Sequence, residues 1–392
     1  MGQPTQVLDV SMIDIRALVG AEMDKAQDFR WQVATELSQQ FRLERLNVAC
    51  LTLLAGAGTR WVKSLAAAQA DGDDAARGRK TVARDFPLSA PRGLYPVKNY
   101  ITRLGPVDFV PMASYAVDAF LGLGRQIVVI RGWQDEICSH VLKPLHIPCN
   151  DVSFFEQQLD VNGKVAGHGD ATWQAQALWQ DSDYVLVNFG GDANSPLTAL
   201  ASLVAMAALA DSKEDVALLL PVARIKNPAY PVLLDEKGRP IGFGHNKLGG
   251  KTGTNASDAN AQKNDAYAYT NVGIRVYRAS ALAKAIAEIR AQYWDATSGY
   301  AIPGNDPEGH EFALDNVDAL LAAQGRARVL AIAQPEELSP AKSFDQIPAF
   351  EAAIATVRAE WDRFAALHAT DRGLAPYFAK RGGEQGVPDF TL

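Results

Sequence analysis

Cysteine is scarce in this chain. Its 392 residues include three, Cys50, Cys138 and Cys149. They are too few and too scattered for a disulfide framework or a Cys-x-x-Cys metal site, so three core thiols in a reducing compartment are expected. Long apolar runs are also missing, and no stretch approaches the length of a membrane span. Met1 to Leu18 lacks the basic start and apolar core of a signal peptide. A cytoplasmic protein without a membrane partner is therefore expected. A basic excess is lacking too: 38 Lys and Arg stand against 45 Asp and Glu, a net charge of -7. That argues against a nucleic-acid partner. Any phosphate held by so acidic a chain must meet a local cluster of N–H groups, Arg, Lys and metal. With 48% hydrophobic and 21% charged residues, the composition suits one large domain with extensions, or two domains. It specifies no oligomeric state.

One stretch organises the rest. Asn47 to Leu54 is a nearly unbroken apolar run, the pattern of a buried parallel strand, and it enters the turn Ala55-Gly56-Ala57-Gly58-Thr59-Arg60. Two familiar glycine motifs are absent. The third glycine of the dinucleotide fingerprint is replaced by Trp61, and the Gly-Lys-Ser/Thr of a Walker A loop by Trp61-Val62-Lys63. What remains suits anionic oxygens. Gly56 and Gly58 allow close backbone approach, successive N–H groups form a concavity, and Arg60 supplies a positive fork. A plain glycine turn after a core strand is the competing reading.

Ser11 to Leu46 has helical spacing at Ile15, Leu18, Val19 and Met23. Leu65 to Arg84 is a polar insertion. Phe109 to Phe120 reads as an amphipathic helix, and Gln134 to Leu142 as another. Strands are expected at Ile127–Ile130, Val152–Phe155, Tyr184–Phe189, Val216–Val222, Ala268–Arg278 and Arg326–Ala333, with a hairpin over Val232–Phe243. This alternation predicts an α/β protein with a parallel sheet covered on both faces. Asp192 follows a strand and two glycines, where ligands sit in open α/β sheets, so it is a candidate magnesium ligand or the cap of a helix from Pro196. Gln157, followed by Gly167-His168-Gly169-Asp170, offers a carboxamide and open backbone to a nucleobase edge. The same residues also read as a helix-start turn. His245 to Asn264 is a polar, glycine-rich loop that could cover a sugar.

Leu53-Leu54-Ala55-Gly56-Ala57-Gly58-Thr59-Arg60 resembles the Leu-x-x-Gly-x-Gly-Thr-Arg loop of the sugar nucleotidyltransferases. Pro91-Arg92-Gly93-Leu94-Tyr95-Pro96-Val97 is similar to that family's Pro-Lys-x-Leu-x-Pro-Val segment, with Arg92 in place of the lysine. The base-loop residues, the strand-end Asp192, and Asn271-x-Gly273 follow in the family's order. Glu311 to Asp318 and Ser343 to Phe350 resemble its sugar-contacting glutamate segment and its late-aspartate segment. The nearest resemblance is to the eukaryotic-type UDP-sugar pyrophosphorylases.

That resemblance implies a Rossmann-like nucleotide-diphospho-sugar transferase (GT-A-like) fold, with a mixed, mainly parallel central sheet flanked by helices. It implies an N-terminal helical extension over 1–46, a catalytic domain over 47–353, and a C-terminal helix and tail over 354–392. The implied reaction is Mg²⁺-dependent transfer of NMP, UMP favoured, from a nucleoside triphosphate to a sugar 1-phosphate, releasing pyrophosphate. Leu54, Ala55, Gly56, Ala57, Gly58, Thr59, Gln157, Gly167, His168 and Gly169 would bind the nucleotide. Gly191, Asn271, Gly273 and Glu311 would line the sugar. Arg60, Arg92 and Lys226 would offset phosphate charge, and Asp192 and Asp345 would hold the metal. Two alternatives stand: a nucleotide-sugar-dependent glycosyltransferase, although Asp192-Ala193-Asn194 has only the first acid of an Asp-x-Asp pair, and a non-catalytic nucleotide or nucleotide-sugar binder.

Overall fold

The computed structural model describes residues 23–56, 58–70, 85–211, 214–226, 228, 231–235, 239–243, 267–302 and 311–382. Its strands, in chain order, are β1 (Val48–Leu53), β2 (Pro96–Lys98), β3 (Phe109–Pro111), β4 (Arg125–Ile130), β5 (Val152–Glu156), β6 (Tyr184–Phe189) and β7 (Leu218–Lys226). They continue with β8 (Val232–Leu234), β9 (Pro240–Phe243), β10 (Tyr267–Asn271), β11 (Arg275–Arg278), β12 (Trp294–Asp295), β13 (Gly299–Tyr300) and β14 (Ala327–Leu330). Eight form one mixed sheet in the order β10-β7-β11-β6-β1-β4-β5, with β14 also on β7. β5, β4, β1 and β6 are mutually parallel, as is β14 with β7, whereas β11 and β10 run antiparallel to their neighbours.

Alternation along β1 explains the layers. Val48 and Cys50 face one core, and Ala49, Leu51 and Leu53 face another. The first core lies under helices α1 (Met23–Gln40), α5 (Pro196–Asp211), α8 (Ile347–His368) and α9 (Ala375–Gly382). The second lies under α4 (His168–Gln174), α6 (Ala279–Tyr293) and α7 (Leu314–Ala323). A third packs α2 (Thr59–Ala70) and α3 (Ala113–Phe120) against β4 and the start of α8. Residues Leu197 to Leu209 of α5 are buried on every side and, apart from Thr198 and Ser202, apolar, as expected of a central helix.

Residues on either side of the 46/47 and 353/354 boundaries share this architecture. Val33 and Leu37 of α1 pack in one core with Leu200, Phe364 and Tyr377. Arg30 of α1 donates to Thr198 Oγ1 at 3.1 Å and pairs with Glu337 and Glu360 inside the protein. On the other side, buried Asp118 of α3 receives Arg103 at 2.7 Å, Arg381 at 2.8 Å and Arg358. Burial alone would raise the Asp118 pKa, but Arg358, Arg381 and Arg103 hold it well below the usual carboxylate range.

Four expectations are corrected. Phe109–Pro111 is a strand, and the helix that follows, α3, is buried on all sides rather than amphipathic, because it is roofed by α8 and α5. Leu65 to Ala70, expected as part of a polar insertion, instead completes helix α2, which begins at Thr59 directly from the glycine turn and buries Leu65. The single strand Ala268–Arg278 is interrupted. Asn271 pairs Val222 and Val276 pairs Leu219, so five residues span three and 272–274 leave the ladder. Cys138 and Cys149, with Cα atoms 5.5 Å apart, are joined as a disulfide, because the helical segment after β4 folds back beside the start of β5. Cys50 stays a buried free thiol. No described helix is long and apolar enough to cross a membrane.

Candidate functional site

β1 and β6 end side by side, with Leu53 level with Phe189, and the Gly190 N–H donates to the Leu53 carbonyl at 3.1 Å. The loops beyond these strands carry the candidate residues. Gly191 lies under the Arg92 guanidinium; a Cβ there would sit 2.5–2.6 Å from its Nη2, Cζ and Nε atoms. The Gly191 carbonyl accepts from the Ala341 N–H at 3.0 Å, which brings Lys342 alongside. From the opposite direction comes the interruption between β10 and β11. Asn271 Oδ1 accepts from the Gly273 N–H at 3.2 Å, and Gly273 has φ +89°, a conformation other residues resist. Its missing side chain leaves room for the Asp192 carboxylate, which a Cβ would overlap.

Asp192 is therefore half-buried among cations. Burial raises its pKa, and Lys342, Arg92 and Arg275 pull it back. Burial lowers the pKa of Arg92; Asp192 opposes this and Arg60 adds to it. Lys342 is lowered by burial and by Arg60 and Arg92, against Asp192 and Asp315. Asp192 thus feels Lys342, Arg92 and Arg275, and Arg92 and Lys342 both feel Asp192 and Arg60, so these groups lie in one neighbourhood. Such cations, drawn together in a protein of net charge -7, are poised for a polyanion.

Arg275 holds the floor of the site. It reaches Asp318 through Nε at 2.8 Å, Asp315 through Nη2 at 2.9 Å and the Gly273 carbonyl through Nη1 at 3.3 Å. Burial would lower its pKa, but Asp318 and Asp315 outweigh that and raise it. His168 stands at the start of α4, edge-on to Phe189 with ring centroids 5.0 Å apart. Its Nδ1 accepts from the Leu314 N–H at 2.9 Å. Burial pushes its pKa down to about 4; Asp315 opposes, and Arg275 and Lys342 add to the fall. The ring is thus neutral near pH 7, with its proton on Nε2.

The expected residues fall into three groups. Brought together are Arg60, Arg92, His168, Gly191, Asp192 and Gly273, with Asn271 as the turn's anchor. Leu54 and Ala55 are buried, Gly56, Thr59 and Arg60 are exposed, and Gly58 lies between them, so the glycine turn opens this space to solvent. Ala57 and the 245–264 loop lie outside the described residues. A supporting group shapes the wall. Gln157 is only 4% exposed and donates to the Gly167 carbonyl at 3.2 Å. Gly169 and Ala166 exchange backbone bonds with Phe312 at 2.8 Å, and Glu311 packs on Gly167. Two residues stand apart. Asp345 is exposed on the turn Phe344–Gln346. Lys226 is exposed at the end of β7, four residues past the Val222–Asn271 pair, or about 13 Å along a strand.

Lys342 and Arg275 carry no motif in the sequence, and Asp315 is marked there only as part of the Glu311 to Asp318 segment. Lys342 is a lone loop lysine with no pattern around it. Arg275 carries a faint signal, a charge inside the apolar run Ile274-Arg275-Val276-Tyr277. A cavity of about 980 Å³ lies elsewhere, at the amino ends of β1 and β4 around Leu121–Gln126 and His146–Pro148; it holds none of the residues just described.

No protein-family model matches the chain, and no curated protein matches it. The chemistry is argued from these side chains. Among the described residues, no three His, Cys, Asp or Glu side chains gather as a metal cage. One carboxylate at a phosphate site is nevertheless a donor set that Mg²⁺ accepts, since it keeps waters and takes its other ligands from substrate phosphates. Asp192 fits that set.

Proposed function

We propose that the chain is a sugar-1-phosphate nucleotidyltransferase, moving NMP from a nucleoside triphosphate to a sugar 1-phosphate with release of pyrophosphate. The observation that carries this is the gathering of Arg92, Lys342 and Arg275 about Asp192, with Arg60 acting on Arg92 and Lys342, at the carboxyl ends of β1 and β6. The parallel run β5-β4-β1-β6 followed by antiparallel β11 supports a GT-A-like reading of the sheet. Sequence motifs in the family's order add to it, and a fold-level likeness alone would not fix the substrate.

In this reading the triphosphate lies over the N–H groups that open α2, with Arg60 and Arg92 on its oxygens. The sugar phosphate enters from the Gly273 side. Its oxygen attacks the α-phosphorus in line, the bond to the β-phosphate oxygen breaks, and pyrophosphate leaves with the electron pair. The attacking oxygen is already anionic, so no general base is required, and a neutral His168 is consistent with that. The protein aligns two anions and offsets the charge between them. Lys342 would offset charge on the α-phosphate. Asp192 would hold Mg²⁺, which supplies further charge neutralisation when bound.

The test is a pyrophosphate-release screen with Mg²⁺, crossing four nucleoside triphosphates with a panel of sugar 1-phosphates, and with Asp192→Ala alongside. Release from one pair, abolished in the variant, is expected. No release from any pair, with nucleotide binding intact, would replace the transferase with a binder.

A further inference from the structure

We infer that Cys138 and Cys149 form a reversible thiol–disulfide site, opened by a dithiol reductant and closed by an oxidised thiol, with the fold kept in both states. The site is independent of the transferase reading, because the pair joins at the amino end of β5 and the charged groups gather at the carboxyl ends of β1 and β6. The three cysteines differ in access. Cys50 is 0% exposed within β1, and burial raises its pKa. Cys138 and Cys149 are each partly exposed, and thiol–disulfide exchange depends on such access. The bridge is not what holds the segment between them. Val141, Leu142 and Leu145 are at most 1% exposed and sit in the third core with Ile137. The Lys143 N–H donates to the Cys138 carbonyl at 2.9 Å, and the Ile147 N–H to the Leu142 carbonyl at 3.0 Å. Arg103, itself paired with Asp118, donates to the Leu145 carbonyl at 3.0 Å. Those contacts anchor the segment whether or not the sulfurs are joined. Permanent disulfides staple small domains that lack such a core.

The backbone of this segment is under tension. Among the described residues, the non-glycine positions at positive φ are Trp133 at +64° and His146 at +56°. A bulky side chain resists that region, and residues held there gather at switches. Trp133 lies five residues before Cys138, and His146 three before Cys149. Between them, Cys138–Leu142 forms a π-helical turn, a form found most often at functional sites. The segment is also one wall of the cavity of about 980 Å³. His146, Ile147 and Pro148 line it from inside the closed loop, and Asp151 lines it just beyond. Opening the bridge releases the end of that wall while the buried side chains stay anchored.

In the opening step one thiolate of the dithiol attacks a bridge sulfur. The S–S bond breaks, and the other cysteine leaves as a thiolate and takes up a proton. The second thiolate of the reductant then attacks the mixed disulfide, which frees the remaining cysteine and closes the reductant's own disulfide. Two electrons and two protons pass to the protein, and the dithiol is oxidised. Oxidised glutathione reverses the exchange and leaves as two reduced molecules. The full chain is treated without denaturant, first with dithiothreitol and then with oxidised glutathione, alkylated after each step and mapped by peptide mass spectrometry. Reduction is expected to expose Cys138 and Cys149 to alkylation but not Cys50, and oxidation to protect both again. The reduced protein should melt in one cooperative step about 3 °C lower. Its amides over 139–151 should exchange about tenfold faster or more, with those of β1 and β6 unchanged. The double variant Cys138→Ser, Cys149→Ser should match the reduced protein in Tm and be unaffected by either reagent. Alkylation only after denaturation would make the bridge a permanent staple. Full alkylation before reduction and after oxidation would mean that no bridge forms. A glutathione adduct in place of the bridge, loss of cooperative melting on reduction, or faster exchange throughout the chain would equally overturn the site.

Discussion

Gly273 is the position at which one added methyl group separates stability from function. Its φ is +89°, and a Cβ there would overlap Asp192 Oδ2. Two costs follow from Gly273→Ala, and they fall on different properties. Holding an L-residue at positive φ costs about 1–2 kcal/mol. In a chain this long that lowers Tm by only about 5 °C or less. The overlap adds little to this, because the atom in the way is the far end of a side chain that can rotate. It must rotate, however, by roughly 1 Å, and a misplacement of that size at the reacting atoms costs about 100-fold in rate. The expected result is a protein that melts within a few degrees of wild type yet loses about two orders of magnitude in kcat for pyrophosphate release. Scanning calorimetry and a coupled pyrophosphate assay read the two quantities. Activity within threefold of wild type, in a variant with the expected small fall in Tm, would refute the placement of Asp192 at the centre of the chemistry. A collapse in stability would refute the view that the carboxylate can yield.

Lys342→Met is expected to lower kcat by about 10²–10³, the usual cost of one charge-stabilising group, with only a small change in Tm, since it removes the repulsion from Arg60 and Arg92 together with the attraction of Asp192 and Asp315; activity near wild type would exclude Lys342 from the reaction. Asp118→Ala leaves Arg103, Arg358 and Arg381 inside the protein without their shared carboxylate. It should cost about 3–5 kcal/mol in urea denaturation, and a loss below about 1 kcal/mol would show that water reaches the cluster. Glu337 has its pKa raised by burial, against Arg30, from 4.5 to about 7. The folded state therefore holds this proton more tightly than the unfolded chain. The stability this adds is complete below pH 4.5 and is lost as pH rises through about 7. Wild type should lose up to about 3 kcal/mol relative to Glu337→Gln between pH 5 and 8. His168, pushed down to about 4, acts in the opposite sense at lower pH and cancels because both proteins carry it. Parallel stability curves for the two proteins would refute the assignment.

Much of the architecture was legible because it is written in local periodicity. The runs at Asn47–Leu54, Ile127–Ile130, Val152–Phe155 and Tyr184–Phe189 became β1, β4, β5 and β6 within a residue or two at most ends. Apolar residues on both faces of a strand need cover on both faces, and the helical spacing between the strands supplied it. The interruption at Gly273 was less legible. Ala268 to Arg278 reads as one strand, and only the pairing with β7 and β6 shows that residues 272–274 leave the ladder.

By itself, then, the sequence determined the α/β layering, the glycine turn after the first core strand and the acid at the end of β6. Each depends on neighbours a few residues away, where spacing is information. Tertiary structure alone decided which charges meet. Arg60, Arg92, Asp192, Arg275, Asp315 and Lys342 span most of the chain, and nothing local in the sequence ties Lys342 to Asp192. Backbone contacts, such as the one between Ala341 and Gly191, bring them together. Asp345, three residues from Lys342, stayed outside in solvent for the same reason: a turn directs one side chain inward and its neighbour outward, and composition does not record which. Electrostatic energy follows distance in space, so the members of such a site become recognisable only once the chain has folded.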